Sequence, residues 1–226
     1  FSVKQSDSAM KVGTDSMLLG AFLDAKSTKK GLDIGSGTGV LSLMVAQKNS
    51  QIDIDAIEID ELTSKECRYN FEQSPWNDRL RCCNQDFMDF NSSEKYDLIF
   101  SNPPYYTTTN HNDDDRRTVA RHEESLPIKH LLENAHKHLS TDGVLWLILP
   151  NIDFEKWSSI ARKSDLFCSK KIQIKGKSSK KPNRVVVRFS LSEDPIEEWD
   201  FVLRNGDNSY TDEYITLTKE FHSVSL

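Results

Sequence analysis

The sequence predicts an α/β protein with a doubly wound, mostly parallel sheet of seven strands, one of them antiparallel. Short apolar runs alternate with amphipathic segments of helical length, which is typical of βαβ units. A glycine-rich turn at 35–39 joins the first run to a helix, as in doubly wound sheets. The last two apolar runs, 167–174 and 184–190, have no helix between them and therefore predict an antiparallel hairpin that completes the sheet.

The other predicted elements follow one another regularly along the chain. Residues 14–23 predict a first helix, with Thr14 or Asp15 as its N-cap. Further strands are predicted at 32–34, 52–58, 80–84, 96–101 and 143–149, and further helices at 38–47, 61–72, 127–139 and 154–163. Residues 201–203 are a candidate edge strand, and 210–221 a C-terminal helix or irregular segment.

Length and composition favour a single domain of 226 residues. We expect an N-terminal cap segment at 1–25, a core at 26–192 and a C-terminal extension at 193–226. No apolar run would span a bilayer, and the N-terminus lacks the apolar stretch of a signal peptide, so we expect a cytoplasmic protein without membrane contact. We also expect a monomer. Because the chain starts at Phe1 rather than Met, we expect that a few initial residues precede it.

The four cysteines and six histidines predict no metal site. No C-x-x-C pair occurs, and the histidines fall in no zinc-like pattern. We therefore expect reduced thiols and no bound metal.

The glycine turn and the strand before it predict a site for a nucleoside that carries positive charge. Gly35, Gly37 and Gly39 remove Cβ atoms where the backbone bends sharply and lies against a ligand. Their spacing differs from the G-x-G-x-x-G of pyrophosphate sites, and Asp33 would repel a diphosphate. S-adenosylmethionine, with a sulfonium, an ammonium and no phosphate, suits this arrangement. A glycine-rich turn without a ligand is the alternative.

Two further strand ends predict contacts to the same nucleoside. Glu58 ends the second strand, where a carboxylate receives the ribose hydroxyls in βαβ folds. Asp86 and Phe87 follow the third strand, where an acid and an aromatic ring are suited to bind an adenine amino group and cover its ring. A cap or turn role is the alternative for Asp86.

The tetrapeptide Asn102-Pro103-Pro104-Tyr105 after the fourth strand predicts the catalytic site. The two prolines fix φ and remove backbone donors, so the segment is a rigid arm with free carbonyls. The amide oxygen of Asn102 and the carbonyl of Pro103 together form two acceptors for one NH₂ group, and Tyr105 offers a flat face for a planar ring. Simple termination of the strand is the alternative.

A polar, charged segment at 107–124 follows this tetrapeptide. Its position predicts a lid that orders when substrate binds. An ordinary solvated loop is equally compatible with its composition.

A basic stretch near the C-terminus changes what the overall charge implies. The formal net charge of −6 argues weakly against a nucleic-acid partner. Residues 166–192, however, contain no acid. We predict RNA binding by the basic side chains Lys170, Lys171, Lys175, Lys177, Lys180, Lys181 and Arg184. A solvated hairpin that protects a sheet edge is the alternative.

These motifs together resemble the class I S-adenosylmethionine-dependent methyltransferases, which have a Rossmann-like fold. The tetrapeptide at 102–105 is similar to the signature of enzymes that methylate planar amino or amide nitrogens. Segments 10–20, 73–76, 102–106 and 120–122 resemble, more narrowly, the bacterial transfer-RNA (adenine-N6)-methyltransferases that modify adenine 37 beside the anticodon of valine transfer RNA. The resemblance implies this reaction, with the anticodon loop as partner, and cofactor contacts from Asp33, Gly35, Glu58, Asp86 and Asn102. The acidic run 113–115 departs from an RNA-binding lid.

Other functions are also compatible with these motifs. A protein glutamine N5-methyltransferase would present the same planar NH₂ group, although those enzymes usually carry a helical domain before the glycine motif. Another RNA base amino-methyltransferase would use the same acceptors. A binding module that keeps the fold without catalysis is a third possibility, against which the tetrapeptide at 102–105 argues.

Overall fold

The computed structural model describes residues 1–6, 11–104 and 128–222, and these form one eight-stranded sheet flanked by helices. The strands are β1 (Lys30–Ile34), β2 (Asp53–Glu58), β3 (Leu80–Asn84), β4 (Tyr96–Ser101), β5 (Leu139–Pro150), β6 (Phe167–Lys177), β7 (Arg184–Ser190) and β8 (Glu197–Arg204). The helices are α1 (Thr14–Phe22), α2 (Val40–Lys48), α3 (Glu61–Glu72), α4 (Ile128–His138), α5 (Phe154–Arg162) and α6 (Asp212–Thr218). No helix in the described part is long and apolar enough to cross a membrane.

The strand order β3-β2-β1-β4-β5-β7-β6-β8 confirms the doubly wound prediction. Strands β1 to β5 pair in parallel, and β7 runs antiparallel to both β5 and β6. The chain moves outward from β1 to β3 and then returns to place β4 on the other side of β1. Ligand crevices in open α/β sheets form at such a reversal, outside the carboxyl ends of the strands.

The strand count differs from the prediction by one, because β8 pairs in parallel with β6 on its outer side. The sequence suggested only 201–203 as a candidate edge strand, whereas β8 begins at Glu197. Its residues 198–201 alternate between acidic and aromatic side chains, a period-2 pattern that the prediction overlooked. Since β8 covers β6, the lysines of β6 do not protect a sheet edge, and that alternative is wrong.

Both faces of the sheet are buried, as expected for central parallel strands. On β5, Trp146 and Ile148 pack in one cluster with residues of α1, α2 and α3, whereas Leu145 and Leu147 pack in the other cluster with residues of α4 and α5. This period-2 alternation holds the central strands rigidly. The rigid strands therefore hold the loops at their carboxyl ends in defined positions.

Helix α1 begins differently from the prediction. Its N-cap is Gly13, and no side chain caps the first turn, so the prediction of Thr14 or Asp15 as N-cap is wrong. Asp15 instead bonds Arg184 and Ser16 bonds Asn102, both on other elements. These long-range contacts hold the first turn of α1 beside the carboxyl edge of the sheet.

The hairpin between β6 and β7 points toward the same edge as the glycine turn. Arg184, the first residue of β7, pairs with Pro150 at the end of β5 and with Ile174 near the end of β6. The turn at 178–183 therefore lies at the edge where β1, β2 and β4 end.

Candidate active site

The glycine turn adopts the conformation that its sequence requires. Gly35, Gly37 and Gly39 have φ values of 66°, 55° and 81°, in the left-handed region that side chains other than glycine rarely adopt. A Cβ at Gly39 would lie 2.5 Å from a ring carbon of Phe71, so this glycine allows the turn to pack on α3. At Gly35 and Gly37 a Cβ would meet nothing within 4 Å among the described residues. These two glycines therefore border open space into which a ligand would fit.

Asp33 is the buried acid of this site. Its side chain is fully buried, and Oδ2 accepts a hydrogen bond of 2.7 Å from the Ser42 hydroxyl on α2. Among the described residues Oδ1 has no hydrogen-bond partner. Burial, with a smaller contribution from the nearby Glu58 carboxylate, raises the pKa of the Asp33 carboxyl to about 7. A cationic ligand would supply the missing partner and favour the ionised carboxylate.

Glu58 is joined directly to the glycine turn. Its Oε2 accepts from the backbone N–H of Gly37 at 2.8 Å, and its Oε1 accepts from that of Asp60 at 3.0 Å. Burial raises the pKa of this carboxyl, and these backbone hydrogen bonds oppose the rise. A carboxylate accepts about four hydrogen bonds, so Glu58 keeps acceptor capacity for a hydroxyl of a diol. Its role in ribose binding stays a prediction.

Asp86 and Phe87 follow the end of β3, as predicted. Their contacts are mainly ones that stabilise the fold. Asp86 caps the short 3-10 helix Phe87–Asp89, accepting from the Met88 N–H at 2.8 Å through Oδ1. The Phe87 ring is 3% exposed and packs against Phe90 and His138. Its covering of an adenine ring, and the adenine contact of Asp86, stay predictions.

Asn102 follows β4 at the same edge and is oriented by α1. Its Nδ2 donates to the Ser16 hydroxyl at 3.0 Å, and the preceding Ser101 hydroxyl donates to the Ile34 carbonyl at 2.7 Å. The first bond commits the amide nitrogen as a donor to Ser16 and so fixes which way the amide is turned. Pro103 is buried and Pro104 is exposed, so the rigid arm leaves the sheet directly after Asn102.

Helix α1 is held at both of its ends. The Asp15 carboxylate accepts from Nε of Arg184 at 2.9 Å, which ties the first turn of α1 to β7. At the other end, the ammonium of Lys48 donates to the carbonyls of Gly20, Ala21 and Leu23 at 2.5–2.8 Å. Burial lowers the pKa of Lys48 to about 8. These contacts fix the helix that carries Ser16.

Sequence analysis missed the polar residues that assemble the site. Ser16 and Ser42 each orient a predicted residue, and Asn70 of α3 donates to the carbonyls of Thr38 and Lys4. Asn70 therefore ties the glycine turn to the N-terminal segment. Serine and asparagine on helices carry no pattern that names their distant partners, so a sequence offers no signal for these roles.

The side chains of the basic stretch differ in their exposure and in their partners. Lys170, Lys171 and Lys175 form ion pairs with acids of β8. Lys177 donates to the Gly206 carbonyl, and Arg184 pairs with Asp15 as described above. Lys180 and Lys181 lie exposed in the turn between β6 and β7.

Several predictions fall on residues outside the described ranges. Tyr105 and the predicted lid at 107–124 belong to these, as does the motif at 120–122. Within the described ranges, no group of three or more His, Cys, Asp or Glu side chains is placed to hold a metal ion.

Comparisons of the sequence and of the fold each match this chain to methyltransferases. The profile of the "Methyltransferase small domain" matches residues 2–154. A "tRNA1(Val) (adenine(37)-N6)-methyltransferase" of Aliivibrio fischeri is 37% identical, covering 98% of this chain and 94% of the relative. A protein of the same name from Flavobacterium psychrophilum is 39% identical, covering 98% and 96%. The crystal structure of a predicted O-methyltransferase from Agrobacterium tumefaciens aligns with a TM-score of 0.71 at 15% identity, covering 91% of this chain and 96% of that one.

Proposed function

The chain belongs to the methyltransferase small domain family, and on that premise we propose that it transfers a methyl group from S-adenosylmethionine to the N6 amino group of an adenine in transfer RNA. The relatives that match along nearly their whole length carry that activity in their names. We propose the same nucleotide for this chain, adenine 37 in the anticodon loop of valine transfer RNA. The observation that carries the proposal is Asn102, held by Ser16 at the carboxyl edge that also carries the glycine turn.

The residues around the glycine turn fit S-adenosylmethionine. When bound, this cofactor supplies a methyl group made electrophilic by its sulfonium. Within the described residues, the buried Oδ1 of Asp33 has no hydrogen-bond partner and so suits a cationic group, and Gly35 and Gly37 leave space for close approach. Glu58 would accept hydrogen bonds from the ribose hydroxyls, and Asp86 would accept one from the adenine amino group.

Asn102 and the arm after it act on the substrate. The amino nitrogen of adenine is a weak nucleophile because its lone pair is delocalised into the ring. Hydrogen bonds from its N–H groups to Oδ1 of Asn102 and to the carbonyl of Pro103 favour a tetrahedral nitrogen, whose lone pair is then localised. Tyr105 would stack on the base once the base leaves the anticodon loop.

No strong base is required in this scheme. A methylated amino nitrogen carries positive charge and is acidic, so it loses its proton readily to water. This fits a site in which an amide and carbonyl groups surround the target nitrogen. The chain's contribution is therefore orientation, hydrogen bonding and proximity.

A single labelling experiment tests this function. Purified protein, S-adenosylmethionine with a labelled methyl group and total cell extract would be incubated with and without ribonuclease. We expect label in RNA that ribonuclease releases. Label in protein would instead favour glutamine methylation, and absence of transfer from a protein that is folded would favour a binding module.

We also propose that the enzyme acts in the cytoplasm as a monomer and without a metal. The substrate class supports the first part, since transfer RNA is processed there. Sedimentation of the protein alone and with transfer RNA would test the second, and activity in the presence of a chelator the third.

A further inference from the structure

The basic stretch in the sequence is not a uniformly basic surface in the fold. Along the β6–β8 pairing, Lys170 lies opposite Glu197 and Lys171 opposite Glu198. Their ammonium groups lie 2.5 Å and 3.0 Å from those carboxylates, and Lys175 lies 2.5 Å from the Asp200 carboxylate. The side chains of these three lysines are only 16–23% exposed. Each of these charges is therefore already paired with a carboxylate of β8, whose own side chain is 44–60% exposed.

The turn between β6 and β7 differs in this respect. Lys180 and Lys181 are both exposed, and no ion pair within residues 1–6, 11–104 and 128–222 involves either one. The backbone that carries them is well tied: Lys180 N–H donates to the Lys177 carbonyl at 2.9 Å and Asn183 N–H to the Ile174 carbonyl at 3.0 Å. The Asn183 carbonyl in turn accepts from the Asn151 N–H at 3.1 Å. A preorganised turn thus presents two cations that form no ion pair with any other described residue.

This turn lies close to the methyl-transfer site. It projects from the carboxyl edge, and β7 is two strands from β4, a separation of about 10 Å at the usual strand spacing. Arg184, at the base of the turn, pairs with Asp15, which precedes the Ser16 that holds Asn102. A strand of RNA whose base reaches Asn102 would therefore run its backbone past the turn.

We propose that Lys180 and Lys181 bind backbone phosphates of the RNA beside the target adenine, and that Lys170, Lys171 and Lys175 instead hold β8 on the sheet. The inference rests on the proposed function, since it assumes an RNA substrate. It divides one basic stretch into two lysines that bind the partner and three that serve the fold. The acids of β8 neutralise Lys170, Lys171 and Lys175, so RNA is drawn to the rim of the crevice.

Two double variants of equal charge test this division. Lys180→Gln with Lys181→Gln removes the exposed pair, and Lys170→Gln with Lys171→Gln removes two paired lysines. Each lowers the formal net charge of −6 by two units, so the long-range field changes equally. Binding of transfer RNA would be measured over a range of salt concentrations, together with thermal unfolding and single-turnover methyl transfer.

We expect the Lys180/Lys181 variant to bind RNA on the order of ten-fold more weakly, with the slope of log K against log salt reduced by about 1.4, the value for two contacts to a single strand. Its unfolding temperature should match wild type. The Lys170/Lys171 variant should keep RNA affinity and slope but unfold at a lower temperature.

Equal RNA affinity and slope in wild type and the Lys180/Lys181 variant would overturn the inference, as would a slope change confined to the Lys170/Lys171 variant. If wild type methylates RNA in either case, the proposed function survives. If wild type neither binds nor methylates RNA, both fail together.

Discussion

The cofactor side and the substrate side of the site are built in different ways. On the cofactor side, the glycine turn, Asp33 and Glu58 belong to one β1-α2-β2 unit. Hydrogen bonds from backbone N–H groups join them, such as that from Gly37 N–H to the Glu58 carboxylate. On the substrate side, Asn102 depends on Ser16, 86 residues away along the chain, and Asp15 on Arg184, 169 residues away. The first side is local in sequence, whereas the second is assembled from distant segments.

The two sides should therefore respond differently to amino-acid substitutions. The cofactor side is set by backbone conformation, so substitutions there act through strain and burial. The substrate side is set by single hydrogen bonds between side chains, so substitutions there should change the rate of the reaction more than the fold. Four changes test this distinction.

Asn102→Ala should have the largest effect on the reaction. Loss of one preorganised hydrogen-bonding group at a reacting centre costs about 10²–10³ in kcat. Because Asn102 follows β4 and is only half-buried, the free energy of unfolding should change little. Cofactor affinity, measured by calorimetry, should stay nearly that of wild type. Comparable loss of transfer and of cofactor affinity would erase the separation between the two sides.

Gly39→Ala should have the largest effect on the fold. The left-handed φ of 81° and the approach of the new Cβ to Phe71 would together cost about 2–5 kcal/mol of stability. Urea unfolding measures this change. Gly176→Ala is the matched control, since its Cβ would meet none of the described residues within 4 Å and its φ is not left-handed. It should change stability by no more than about 0.5 kcal/mol. Equal effects at both glycines would contradict the role of the turn.

Ser16→Ala should have a moderate effect, confined to the reaction. Loss of the hydroxyl removes one hydrogen bond that orients the amide of Asn102, which we expect to lower kcat by about ten-fold, equivalent to one hydrogen bond of about 1.4 kcal/mol. The KM for transfer RNA should change little. Ser16→Thr keeps a hydroxyl and should restore most of the rate; failure of this rescue would mean that Ser16 acts only through packing of α1.

The titration of Asp33 should give the smallest effect, and it belongs to the cofactor side. Its pKa is raised to about 7 in the folded protein from an ordinary value of 3.8, so the folded protein retains this proton at pH 6 while the unfolded chain has lost it. The contribution of Asp33 to stability therefore falls as pH rises from about 4 through 7.

Ionised Asp33 attracts a cationic cofactor, so affinity should rise about five-fold between pH 6 and pH 7. Asp33→Asn should bind more weakly and remove this dependence. Calorimetric titrations of both proteins at the two pH values measure it. An equal pH dependence in Asp33→Asn would assign the effect to another group.

The sequence predicts the local parts of the molecule well. The bounds of β3, β4, β7 and α3 agree with the prediction, because each has a clear apolar period and a turn or proline at its end. The positions of Asp33, Gly37 and Glu58 agree for the same reason, since all are strand ends or turn residues. In contrast, the alternation of acidic and aromatic side chains at 198–201 of β8 was overlooked, and its pairing with lysines of β6 depends on tertiary contacts.

The contact of Ser16 with Asn102, and the difference between the exposed and the ion-paired lysines, could not be predicted from the sequence for a related reason. Nothing in residues 13–16 distinguishes a serine that orients an amide from one that caps a helix. Similarly, Lys170 and Lys180 look alike in a sequence, and only the placement of Glu197 separates them. Such pairings are determined by tertiary contacts, which local periodicity does not encode.

We propose that the carboxyl edge of this sheet methylates an adenine amino group in transfer RNA. The most direct test is to incubate unmodified transfer RNA with the protein and labelled S-adenosylmethionine, digest the RNA to nucleosides, and separate them by chromatography. We expect label in N6-methyladenosine, formed about 10²–10³ times more slowly with Asn102→Ala. Label in a different nucleoside, or undiminished label with Asn102→Ala, would contradict it.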